Sequence, residues 1–139
     1  MSTELEKQRL ITLAQHLVEA TAQRTAQWDA RADHVYFWGA AEGSVTIASR
    51  DRDGEPPYEL ALYAVDGNKV DDLASELLAG DEPAPWNDAL AELYRIARRS
   101  ALGADEIIDA LLERLAQASG QHQSLLDRAR AGFSASDGP

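Results

Sequence analysis

The chain has 139 residues, 45% of them apolar, with 24 acidic against 13 basic side chains and a net charge of −11. That length and apolar share suit one compact domain with a core of its own. Cysteine is absent, which excludes a disulfide framework, a thiolate metal site and a cysteine nucleophile. The negative charge argues against holding nucleic acid by general attraction to phosphate.

The opening residues, Met1-Ser2-Thr3-Glu4-Leu5-Glu6-Lys7, are polar and mixed in charge. They lack the basic start and apolar run of a secretory signal, and no stretch nears the ~18 consecutive apolar residues of a bilayer span. The expectation is a cytoplasmic protein without a membrane segment. Lysine occurs only at Lys7 and Lys69, and alanine is frequent. That usage suits a high-GC bacterial genome and is silent about mechanism.

In chain order, residues 4–31 predict a long amphipathic helix. Leu10, Leu13, Ala14, Leu17, Val18, Thr21 and Trp28 recur at steps of three and four, without glycine or proline. Val35-Tyr36-Phe37-Trp38 and the alternating Ser44–Ser49 predict a hairpin across the turn at 39–43. The polar loop 50–57, with its proline pair, stops the second strand. Residues 59–65 predict a third strand and Asp66-Gly67-Asn68 a tight turn. Residues 69–73 read as either a short edge strand or the start of a helical turn.

Pro85 precedes a helix marked by Trp86, Leu90, Leu93, Tyr94 and Ala97, closed by Gly103 as a left-handed cap. Asp105 and Glu106 open another helix. Ile107, Ile108, Leu111, Leu112 and Leu115 are its expected buried face and Gly120 its expected end. A weaker segment covers 121–131. There is no internal repeat and no sustained heptad.

The resulting fold class is α+β: a long N-terminal helix, a three- to four-stranded antiparallel meander, then two C-terminal helices packed on one sheet face. Residues 1–131 are expected to form one domain and 132–139 a disordered tail.

Charge is unevenly spread. Residues 34–79 hold nine acidic and three basic side chains and residues 80–118 eight and four, whereas residues 119–139 hold two of each. The acid excess therefore belongs to the folded body, where it can steer association with a basic partner.

Motifs for chemistry are sparse. His16, His34 and His122 fall in separate segments without metal spacing. Asp51-Arg52-Asp53-Gly54-Glu55 has the start of a calcium loop, but position 60 is Leu where the bidentate glutamate belongs. Gly39 and Gly43 join two strands, and no Gly-Lys-Ser/Thr follows. No catalytic residue, cofactor or metal is therefore assigned.

The candidate partner-binding residues are Tyr36 and Trp38, which share one sheet face, and Arg95, Arg98 and Arg99, which share one helix face. The expected function is a non-enzymatic acidic module that binds another protein with a basic surface: an adaptor, a regulator or a neutraliser such as an antitoxin or immunity protein. A ligand-binding domain or small enzyme with a pocket between sheet and helix is one alternative. A homo-oligomeric scaffold, at its simplest a homodimer, is the other.

Overall fold

A computed structural model describes residues 4–133, with side chains described through residue 118. The expected tail lies, from residue 134 on, outside the described residues. The chain divides into two compact units, Met1–Gly103 and Ala104–Pro139.

The first unit starts with helix α1, Glu4–Ala22, and continues through strands β1 (Asp29–Ala32), β2 (Val35–Ala40), β3 (Gly43–Ser49), β4 (Tyr58–Tyr63) and β5 (Lys69–Ala74). Helix α2, Asn87–Ala101, closes it. The sheet is an antiparallel meander in the order β1-β2-β3-β4-β5. It has five strands, one more than the upper end of the expected count. The extra strand is β1, whose sequence Asp-Ala-Arg-Ala has no β-branched or aromatic residue and continues the helical reading of α1.

Helix α1 is shorter than expected because its last turn is capped within the chain. Arg24 takes a left-handed conformation, φ 62°. The amides of Thr25 and Ala26 both return to the Ala20 carbonyl, as does the Thr25 hydroxyl. Trp28 then folds back, its indole N–H donating to Thr21 Oγ1. At the other end of the unit α2 stops as expected, with Gly103 left-handed at φ 70°.

Both helices cover the same sheet face. α1 buries Leu10, Ala14, Leu17 and Thr21, and α2 buries Leu90, Leu93, Tyr94 and Ala97. On the sheet, residues in register form rows across the strands. Tyr36, Ile47, Leu60 and Leu73 are partners in succession, and all four are buried. Trp28 and Trp86 belong to the same cluster. The opposite sheet face is polar and open. Arg50 pairs with Glu59, Lys69 with Asp72, and Arg31 lies 3.7 Å above the Phe37 ring. An antiparallel sheet with one dry and one wet face has this alternation.

The second unit is described by one helix, α3, Ala104–Phe133. It runs through Gly120, which does not end it. An interior glycine costs a helix only about 1 kcal/mol relative to alanine, which does not by itself end one. The larger correction concerns its apolar face. Ile107, Ile108, Leu111, Leu112 and Leu115 are 43–62% exposed. A single helix has no second layer of its own with which to bury a stripe.

Candidate interaction surfaces

The Tyr36/Trp38 pair does share a sheet face, but it is the face the helices cover. Tyr36 is only 4% exposed, its ring 5.6 Å from that of Tyr94 on α2. It is core, which takes it out of any exposed platform. On the open face the corresponding residues are Val35 and Phe37, both half-buried.

Trp38 has a different environment. Two residues beyond the buried row, Trp38, Val45, Leu62 and Asp71 are the next register partners across β2 to β5. Leu13 of α1 lies against this second row, and together they line a groove of about 420 Å³. The exposed Val70 and Ala40 continue its apolar wall. A second hollow of about 420 Å³ shares Leu13 and Leu62 and adds Glu6, Arg9, Leu10 and Asp71. The two hollows adjoin at Leu13 and Leu62 and are largely apolar, and their linings carry Glu6, Glu42 and Asp71 against the single base Arg9. Nothing in the sequence pattern marks this groove, because it depends on how α1 settles beside the second row of the sheet.

At the other end of the sheet sits an aromatic cluster. Tyr94 stacks on Tyr58, centroids 4.5 Å apart, and its hydroxyl lies 2.7 Å from His34 Nδ1. The Tyr58 hydroxyl donates to the Gly54 carbonyl. Gly54 is at φ 85°, and a Cβ there would meet the His34 ring at 3.2 Å, so glycine is needed for both backbone and space. Ser49 Oγ donates to the Glu55 carbonyl at 2.7 Å, and the Glu55 amide donates to Asp53 Oδ1 at 2.9 Å. That amide, with the Ser49 hydroxyl, holds the Asp53 carboxyl below its usual range. The loop over 50–57 is thus pinned to β3 and β4 by polar groups. The Asp53 carboxylate serves this turn, and among the described residues no group of three or more His, Asp or Glu could hold a metal ion.

Burial pushes the Tyr94 phenol up to about 12. An acid whose folded pKa exceeds its unfolded value, near 10, stabilises the fold fully below the unfolded value. That contribution is lost as pH rises through the folded one. Stability is therefore expected to fall between about pH 10 and 12. Urea titrations and tyrosinate absorbance across that range check this. The step should shrink in Tyr94→Phe, and an unchanged step would assign it to another group.

On the arginine face, Arg95 is paired within the helix. Arg95 Nε and Nη2 both donate to the Glu92 carboxylate. Their hydrogen bond raises the arginine pKa and lowers that of the glutamate. Arg98 is exposed and Arg99 half-buried. Both lie in the last turn of α2, where positive charge favours the helix dipole. Arg95 is thus paired within its own helix, and none of Arg95, Arg98 and Arg99 lines the groove that holds Trp38.

Among the described residues no helix is long and apolar enough to cross a membrane. Comparison with family models, with curated proteins and with solved structures gives no match.

Proposed function

We propose that the protein is a non-enzymatic, cytoplasmic interaction module that takes an apolar segment with basic flanks, from another protein, into the groove beside α1. The observation that carries this reading is the groove over the row Trp38–Val45–Leu62, in which Val45 is buried and Trp38 and Leu62 are half-buried, walled by Leu13 and Val70 and edged by Glu6, Glu42 and Asp71. Such a floor supplies the desolvated anchor that dominates affinity. Its acidic edges, on a chain of net charge −11, supply steering toward a basic partner.

The volume falls in the range of small-molecule pockets, but the acidic edges favour a protein segment with basic flanks. The lining contains no histidine. Ser44 and Tyr63 thus have no imidazole in the groove to activate them.

Affinity capture from source cells at two salt concentrations tests the reading, with wild type and Val70→Arg compared. Val70 is 59% exposed, so the substitution leaves the core alone while placing a cation in the apolar wall. A partner held by wild type should be lost by the variant and weakened by salt. A partner retained by Val70→Arg, or indifferent to salt, would overturn the proposal.

A further inference from the structure

The open face of the sheet carries a hollow of about 240 Å³, on the side away from the buried row. Its floor is Val35, Thr46, Ala48 and Ala61 on the three central strands, all half-buried. Val35 pairs in register with Ala48, and Thr46 with Ala61. Side chains this short leave a dip inside a rim of longer ones. Arg50, Arg52, Glu59, Tyr63, Lys69 and Asp72 form that rim.

Residues 34–79 are the most acidic part of the chain, yet their only three bases, Arg50, Arg52 and Lys69, all line this one hollow. Two of them are tied to the acids of the rim. Arg50 meets Glu59 through Nε at 3.2 Å, which leaves the outer edge of the guanidinium out of the contact, and Lys69 meets Asp72 at 3.0 Å. Arg52 forms no ion pair with any described residue. Its turn is fixed by the backbone and by a neighbour. The Arg52 amide donates to the Ser49 carbonyl at 3.0 Å, and Asp53 accepts from the Ser49 hydroxyl at 3.0 Å. A base carried on a fixed turn loses less freedom when a ligand arrives. The Thr46 and Tyr63 hydroxyls lie 3.5 Å apart, at the far limit of a hydrogen bond, so both keep capacity for a ligand.

Three bases against two acids leave the lining with one positive charge in excess. That balance matches a monoanion, whereas a phosphate dianion would meet Glu59 and Asp72 with a charge too many. The fork of a guanidinium suits the two oxygens of a carboxylate. The volume lies below that of pockets for drug-sized ligands, which suits a small acid. We propose that this hollow binds a small monocarboxylate, its head group taken by Arg52 and the outer edge of Arg50, with the Thr46 and Tyr63 hydroxyls as further donors. The inference does not rest on what the groove binds.

The probes are acetate, lactate and benzoate, titrated into the full chain at constant ionic strength and followed by amide nuclear magnetic resonance. At least one should saturate below about 20 mM and move the amides of Thr46, Ala48 and Ala61. Arg52→Asn removes the base that has no ion pair, and asparagine tolerates the left-handed φ of 59° at this position. It should weaken binding about tenfold or more. Ala61→Leu fills the floor with every charge intact and should also weaken binding. Arg114→Gln on α3 loses the same charge at an exposed position outside the hollow and should leave affinity within about twofold. No saturation by any of the three acids, binding indifferent to Arg52→Asn or to Ala61→Leu, an equal loss in Arg114→Gln, or tighter binding of inorganic phosphate would each overturn the proposal.

Discussion

Leu90→Ala is expected to destabilise the first unit by about 3 kcal/mol, within the roughly 2–5 kcal/mol seen for leucine truncations in cores. Leu90 is wholly buried and belongs to the cluster that joins α2 to the row Tyr36–Ile47–Leu60–Leu73. The site cannot collapse easily. α2 packs on α1 as well as on the sheet, and the Trp86 indole fixes its start by donating to the Ala74 carbonyl at 2.8 Å. The void therefore stays open and its lining loses dispersion contacts in addition to the transfer energy. In urea the midpoint should move while the slope does not, the mark of a change in stability alone. The contrast is Leu111→Ala on α3, a substitution of the same chemistry at an exposed position. It should change the first unit by less than about 0.5 kcal/mol. A loss below about 1 kcal/mol for Leu90→Ala would mean that α2 is not seated on the sheet.

What was legible in the sequence followed periodicity, and what was missed followed tertiary geometry. The alternation of Ser44–Ser49 and the aromatic run before it specify the β2–β3 hairpin, and Gly103 specifies the end of α2. β1 was hidden because Asp-Ala-Arg-Ala pairs with β2 by position and has no strand propensity of its own. The sharing of a face by Tyr36 and Trp38 follows from a two-residue period, but which face is dry depends on where α1 and α2 settle. That placement makes Tyr36 core and leaves Trp38 in a groove. The stripe at Ile107–Leu115 was read correctly as one face. The expectation that this face is buried is what failed, since amphipathicity marks an apolar side of a helix without fixing what covers it.

Trp28→Ala should be the most damaging single substitution at the helix-to-sheet junction, at about 3–5 kcal/mol. Its indole N–H donates to Thr21 Oγ1 at 2.8 Å, the Thr21 hydroxyl donates to the Leu17 carbonyl at 2.6 Å, and both residues are buried. The Trp28 amide donates to Ser100 Oγ at 2.9 Å. One residue thus ties the end of α1 to the last turn of α2 and sets the entry into β1. Truncation to alanine leaves the Thr21–Leu17 bond in place, so the cost is mainly the cavity. Thr21→Val removes the acceptor instead and strands a buried indole N–H, a penalty of about 1–3 kcal/mol. In a Trp28→Phe background that N–H is gone, and the same Thr21→Val change should cost about 1 kcal/mol less. The coupling in this double-mutant cycle, followed by far-ultraviolet circular dichroism in urea, isolates the bond from the packing around it. Additivity within about 0.3 kcal/mol would show that the indole finds its acceptor elsewhere, and the early end of α1 would then rest on the Arg24 turn alone.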